Sequence, residues 1–314
     1  VMEEFAKISV GVAFPVFECC TGPVRIVETF GSDALRNRVV PAVVEGKMLV
    51  AICMSEPDAG TALTDLRTRA VIEGEEIVIN GSKRWCSGAG HSEGYVVFCR
   101  FDDIPGAKGI GAVYVDKDTP GLSFGQQERL MGFRGVPSAD MAFDDVRVPR
   151  ENLLVGAGGF ARLMGLFNIE RLGNSTMALG VAAGALEQVT AYVQERRQFG
   201  KPIIDFQAVQ IRLAEIAIKV EAARLLIHRA AAQVETGTPD LMQTSMAKCF
   251  ANEITREVTA TAMQLMGGYG YAKEYGMERR LRDSYGWGIA GGAIDIQKVN
   301  IAAQLVGRRF NQRG

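Results

Sequence analysis

The chain has only two histidines, His91 and His228, widely separated in 314 residues. That leaves no basis for an imidazole metal site or for Ser-His-Asp catalysis. Its six cysteines, Cys19, Cys20, Cys53, Cys86, Cys99 and Cys249, include no C-x-x-C pair. They read as small core residues in a reducing compartment, not as a disulfide framework or metal ligands. Net charge is −1, so nothing electrostatic points to nucleic acid or an anionic membrane. No apolar run reaches the ~20 residues of a membrane span, and no signal peptide is visible. Val1 starts inside a helical pattern, so a preceding segment is expected to be missing from the sequence. Against these absences, 47% of residues are hydrophobic, enough for a large core, and the length suits two or three domains of ~100–200 residues each.

Three textures follow one another. Residues 1–50 read as short helices, with apolar residues three and four apart in "MEEFAKISVGVAF" and "DALRNRVVPAVVEG". Residues 51–156 change to short apolar or alternating runs, "EEIVINGSKRWCS", "GYVVFCRF", "GIGAVYVDK" and "ADMAFDDVRVP", separated by Gly, Pro and Asp, which is a strand pattern. Residues 157–314 return to helical texture, with long patterns over 159–197, 203–236, 239–267 and 291–309. Short breaks between long helices favour an antiparallel bundle. The fold class read from this order is α+β: an N-terminal helical part, a central antiparallel β domain and a C-terminal four-helix bundle.

Four stretches carry candidate chemistry. In "AICMSEPDAGTALTDL" an apolar strand ends in a polar loop at Asp58, Gly60 and Thr61, whose N–H groups suit an anion or simply form a turn. In "NGSKRWCSGAG", Trp85 and Ser87 are two apart, so a regular strand would point both the same way. An aromatic plane beside a hydroxyl suits a flat heteroaromatic ligand, and a Trp packed on a neighbouring domain explains it equally. "ERRQFGKPI" places Arg196, Arg197 and Phe199 at the join of two helices, where they suit a phosphate and an adenine or form a solvated helix end. "QLMGGYGY" contains Gly267 and Gly268, which mark either a helix terminus or a backbone approach to a pyrophosphate.

In combination and order, "MSEPDAGT", "NGSKRWCSGAG", "GFRG…AFDDVRVP", "ERRQFGKPI", "MGGYGY" and "RDSYGWGIAGG" resemble the acyl-CoA dehydrogenase family of FAD flavoproteins along essentially the whole chain. The resemblance implies roles position by position. Cys53, Met54 and Ser55 would lie along the flavin pyrimidine and Thr61 near the FAD pyrophosphate. Trp85 would cover the isoalloxazine and Ser87 hydrogen-bond N5. Arg196, Phe199 and Gln207 would hold the adenine end, and Gln264, Gly267 and Gly268 the pyrophosphate, from a neighbouring subunit. Shared sites of that kind imply a homotetramer built as a dimer of dimers.

One departure decides the catalytic reading. Many members carry a glutamate base after the Arg-Asp pair, and ungapped alignment of "RDSYGWGIAGGAIDIQK" puts Gly291 there. Ala293 replaces a frequent Thr, and Asp295 lies a turn further on. The isovaleryl-CoA and long-chain branches instead place the base on the first bundle helix in a Glu-Arg-Leu context, which this chain has at Glu170, Arg171 and Leu172. Helical spacing puts Leu163, Phe167, Glu170, Gly173 and Met177 on one face, leaving a single carboxylate in an apolar stripe. From the segment alone an exposed glutamate at a helix turn fits better. The resemblance and the glycine at the other base position reverse this, and burial among these neighbours would raise the pKa and suit a general base near neutral pH.

The resemblance then implies dehydrogenation of an acyl-CoA thioester to the trans-2-enoyl-CoA. Glu170 would take the α-proton, the Gly291 N–H would hold the thioester oxygen, and the β-hydride would go to FAD. Gly292 would leave room at the thioester, while Asn168 and Arg171 would steer the CoA end. Electron-transfer flavoprotein is the expected acceptor, and the bacterial cytoplasm is favoured over the mitochondrial matrix. An acyl-carrier-protein thioester dehydrogenase and a catalytically silent flavin-binding relative are the alternatives.

Overall fold

The computed structural model describes residues 1–233, 237 and 239–310. Four helices come first: α1 (Met2–Ile8), α2 (Val10–Cys20), α3 (Val24–Phe30) and α4 (Asp33–Val44). Strands β1 (Val50–Cys53), β2 (Arg69–Glu73), β3 (Glu76–Ser87), β4 (Gly94–Phe101), β5 (Ile110–Asp116), β6 (Leu122–Phe124), β7 (Ser138–Pro149) and β8 (Leu153–Val155) follow. The long helix α5 (Phe160–Glu195) leads into a two-stranded hairpin, β9 (Arg197–Gln198) and β10 (Lys201–Pro202). The chain closes with α6 (Gln207–Ala231), α7 (Leu241–Met266), α8 (Gly268–Tyr271), α9 (Met277–Asp283), α10 (Gly286–Ile289) and α11 (Ile294–Leu305). This is the mixed α+β architecture expected, with a central sheet and a helical C-terminal region.

Two compact units divide the chain: 15–129 with 135–167, and 1–14 with 130–134 and 168–314. In the sheet unit, β6-β7-β3-β2-β4-β5-β8 are hydrogen-bonded in that order. Most pairings are antiparallel, but β1 and β2 each run parallel to β4, which sequence texture did not reveal. Strand β4 explains how the sheet organises two cores. Its alternate residues Tyr95, Val97, Cys99 and Phe101 enter one cluster, and Val96 and Phe98 enter the other. A strand covered on both faces reads as a continuous apolar run, as "GYVVFC" does.

The pairing of β3 with β7 slips between Lys83 and Cys86, where β3 carries one extra residue, and Trp85 there has φ 61°. This bulge breaks the two-residue alternation. The same-face argument for Trp85 and Ser87 assumed a regular strand, which β3 is not at this point.

In the helical unit, α5, α6 and α7 bury a shared core of small and branched residues, including Leu179, Val189, Val220, Ile254 and Val258. Asp240 caps α7 by accepting the Gln243 N–H at 2.9 Å. The expected final helix over 291–309 starts late, at Ile294, because Gly291 (φ 64°) and Gly292 (φ 87°) are left-handed. The expected end of the second long pattern, at residues 234–236, lies outside the described residues, as do residues 311–314.

One stretch qualifies the expectation about membrane spans: Val10–Phe30 is long and apolar enough by composition alone. It is broken at residues 21–23 between α2 and α3, and more than half of it is buried in the protein.

The sheet unit also holds a buried ion pair. Lys83 is fully buried and donates to Glu56 Oε1 at 2.8 Å and to Met54 O at 3.1 Å. Glu56 also accepts the Arg67 and Thr68 N–H groups at 2.6 and 2.8 Å. Burial pushes the Glu56 pKa up, but Lys83 and these donors outweigh it and hold the group below the ordinary range. Removing one buried partner strands the other. Lys83→Met is expected to lower unfolding stability by about 3–5 kcal/mol, measured by urea titration.

Candidate active site

The segment 284–297 is held in place by side chains from α7 and from the start of the chain. Trp287 is buried, stacks with Phe14 at 5.8 Å with 7° between planes, and packs against Phe133 at 5.3 Å with the rings tilted by 57°. Beyond it, the fully buried Lys248 donates to Ala290 O at 2.6 Å and Gly291 O at 2.7 Å. Gln297, also fully buried, donates to Gly292 O at 3.1 Å and accepts from Ser245 Oγ at 3.0 Å. Three successive carbonyls are thereby fixed from one side. Among the described residues, no acceptor takes the Gly291 or Gly292 N–H. The carbonyls of this turn are committed to side chains, while its N–H groups are left open among the described residues.

Glycine at 291 is dictated twice. Its φ of 64° strains any L side chain, and a Cβ would lie 2.7 Å from Asn174 Nδ2 and 3.0 Å from Lys248 Nζ. Asp295, the nearest carboxylate in sequence, is exposed on the first turn of α11.

Across from this turn, α5 presents Asn168, Glu170, Arg171 and Asn174, all buried. Glu170 makes no hydrogen bond and no ion pair among the described residues, and is 6% exposed. Burial raises its pKa to about 8, against an opposing pull from Lys248 and then Arg171. Burial likewise lowers Lys248 to about 7, reinforced by Arg171 and opposed by Glu170. Lys248 is thus the shared neighbour of the candidate base and the Gly291 turn. Arg171 donates to Asn168 Oδ1 at 2.6 Å, and Asn168 donates to Pro239 O at 3.3 Å. The Arg171 guanidinium lies 3.9 Å from where a Gly292 Cβ would be.

Sequence reading missed Lys248, Asn174 and Gln297. A signal existed on α7. Ser245, Lys248, Asn252, Thr255 and Thr259 recur three or four apart and are all fully buried, a polar stripe on the helix's core face.

A second site lies in the helical unit. A cavity of about 550 Å³ is lined by Tyr192, Arg196, Gln264, Gly267, Gly268 and Tyr269, among others. It gathers four of the residues assigned to the cofactor from separate stretches of sequence. The Arg196 guanidinium lies 5.3 Å over the Tyr269 ring, and neither Gly267 nor Gly268 has an atom within 4 Å of a notional Cβ. An arginine, an aromatic face and open glycine backbone fit a dinucleotide's phosphates and ring. Phe199 and Gln207 do not line this cavity. Phe199 is 94% exposed on the β9–β10 turn, and Gln207 begins α6 at the surface.

In the sheet unit, Trp85 is half exposed with the Arg84 guanidinium 4.2 Å over its ring, and Thr61 is exposed. Ser87 is partly buried in the last position of β3. Cys53 is fully buried with Sγ 3.3 Å from Met141 Sδ, so its side chain is committed to the core, leaving Met54 and Ser55 as the accessible part of that stretch.

Comparison with known proteins places this architecture. Residues 51–146 match the model for the acyl-CoA dehydrogenase middle domain, and residues 157–306 the model for the acyl-CoA dehydrogenase C-terminal domain. A probable acyl-CoA dehydrogenase of Mycobacterium tuberculosis is 39% identical over 278 residues, covering 88% of this chain and 72% of that one. The 3-sulfinopropanoyl-CoA desulfinase of Cupriavidus necator is 36% identical over 319 residues, covering 99% and 80%. The structure of butyryl-CoA dehydrogenase from Megasphaera elsdenii superposes with a TM-score of 0.94 at 33% identity, covering 97% and 80%. This chain belongs to the acyl-CoA dehydrogenase family, an oxidoreductase family acting on acyl-CoA whose members are FAD flavoproteins.

A side chain at 291 would have to take a left-handed backbone and displace the ends of Asn174 and Lys248. The double variant Glu170→Gly with Gly291→Glu is expected to recover none of the flavin-reducing activity lost in Glu170→Gly. Gly291→Ala alone is expected to lower stability by about 1–3 kcal/mol in denaturant titration, through strain at a left-handed position. Recovery of activity in the double variant would show that position 291 has room the contacts deny.

Proposed function

We propose that this protein dehydrogenates an acyl-CoA thioester across C2 and C3, with Glu170 as the base that takes the α-proton. The observation that carries the reading is a buried carboxylate with no hydrogen-bond or ion-pair partner among the described residues, within electrostatic range of the lysine that holds the Gly291 turn. An α-proton is only weakly acidic until its carbonyl oxygen is held by donors. The Gly291 N–H is the donor proposed here, with Gly292 leaving the approach open. Lys248 keeps that turn in place.

Arg196, Gln264, Gly267 and Gly268 are proposed to hold FAD at its phosphate and adenine end, aided by Phe199 and Gln207. Met54, Ser55, Thr61, Trp85 and Ser87, with the backbone of Cys53, are proposed to hold the flavin end. FAD, when bound, supplies the two-electron acceptor for the β-hydride. Asn168 and Arg171, paired with each other, are proposed to face the CoA portion.

Electron-transfer flavoprotein as acceptor and a homotetrameric assembly belong to the same proposal. The assembly is supported by Ile211, Ile218 and Leu225, an exposed apolar line seven residues apart on α6. A cytoplasmic setting is supported by the bacterial sources of the relatives.

A general base works ionised, so the sign of its pH dependence is fixed. With its pKa raised to about 8, Glu170 is largely protonated below that value and competent above it. The rate of anaerobic flavin reduction by acyl-CoA is expected to rise with pH through about 8 and then level off. Glu170→Gln should slow it by about 10²–10⁴-fold while FAD content is unchanged. Wild-type reduction rates in Glu170→Gln with normal FAD content would overturn the assignment.

A further inference from the structure

Asn174 lies one helical turn beyond Glu170 on α5, so the two side chains share a face. It is fully buried, and neither its amide oxygen nor its amide nitrogen has a hydrogen-bond partner among the described residues. The nitrogen is aimed at the Gly291 turn, 2.7 Å from the place a Cβ would take there. Folded proteins pair buried amides almost without exception, because an unmade bond costs the full desolvation of the group.

Three side chains around it are paired. Asn168 is paired with Arg171, Lys248 with two carbonyls, and Gln297 with Ser245 and Gly292. An asparagine kept for structure alone closes on backbone, as Asn152 does with Tyr114 O at 3.1 Å in the sheet unit. Asn174 instead holds two unused functions toward the place where the reacting carbons are proposed to sit.

Resting on the reading of Glu170 as base, we propose that Asn174 is a specificity residue. It recognises a neutral hydrogen-bonding substituent, a hydroxyl or an amide, on C3 or C4 of the acyl chain. Side chains one turn apart have Cβ atoms about 5–6 Å apart, so an acyl group whose C2 meets Glu170 brings C3 and C4 within reach of the Asn174 amide. A hydroxyl donates and accepts, and so satisfies Oδ1 and Nδ2 together. The substituent is neutral because the amide that would recognise it is uncharged and offers one donor and one acceptor function. A purely alkyl chain leaves the amide unsatisfied, which is how a polar pocket rejects an apolar analogue.

Binding, separated from turnover, tests this. In the FAD-loaded Glu170→Gln protein, calorimetric Kd values are compared for 3-hydroxybutyryl-CoA against 3-methylbutyryl-CoA, and for 4-hydroxybutyryl-CoA against pentanoyl-CoA. Each pair exchanges a hydroxyl for a methyl group. The hydroxyl member of at least one pair is expected to bind about tenfold tighter or more, and Asn174→Leu in the same background should abolish that preference. The proposal is overturned if alkyl members bind as well or better in both pairs, if no member binds, or if the preference survives Asn174→Leu. The ratio with Asn174 intact decides the matter even if that variant does not fold. Failure of the base assignment is read separately, as flavin reduction in the Glu170→Gln protein.

Discussion

The ammonium of Lys248, fully buried and hydrogen-bonded to Ala290 O and Gly291 O, is the contact on which the proposed site depends. Burying a cation is costly unless it is well partnered. Here the partners are two backbone carbonyls that a left-handed turn exposes. The turn needs the lysine to occupy its carbonyls, and the lysine needs the turn to tolerate burial. Their mutual dependence frees the opposite edge of the turn, where the N–H groups of Gly291 and Gly292 have no acceptor among the described residues. The same ammonium lies close enough to Glu170 to oppose the rise that burial imposes on its pKa.

This arrangement gives a physical reason for finding glycine at a position where many relatives place a carboxylate. The volume that a side chain at 291 would fill belongs to the Asn174 amide and to Lys248 Nζ. The proposed base and the turn therefore come from different parts of the helical unit. On α5, among buried neighbours, Glu170 has the raised pKa that suits proton abstraction near neutral pH. Placing the turn under α7 gives it rigid backing, through Lys248 at one end and through Ser245 and Gln297 at the other.

Much of the fold was legible because its elements obey simple periods. The 3.6-residue pattern located α5, α6 and α7 to within a few residues, and the short apolar run of β4 read as a strand. What the sequence concealed has specific causes. The late start of α11 turns on two consecutive positive φ angles, which an apolar pattern does not encode. The bulge at Trp85 needs the β7 register, and the parallel pairings of β1 and β2 with β4 need the tertiary path. Glu170 was legible through the family resemblance, by its Glu-Arg-Leu context and the glycine at the other base position, since a glutamate in that segment alone reads as exposed. Lys248 and Asn174 were not, since a lysine and an asparagine on helices usually face water. Only burial and missing or unusual partners mark them.

The most direct test of the central claim follows the α-proton itself. An acyl-CoA deuterated at C2 is incubated anaerobically with the FAD-loaded protein in ordinary water, and loss of deuterium from the recovered thioester is followed by mass spectrometry. If Glu170 is the base and the Gly291 turn holds the thioester oxygen, wild-type protein washes out the label. The Glu170→Gln protein, with the same FAD content, retains it. Washout at the wild-type rate without the Glu170 carboxylate would contradict the account.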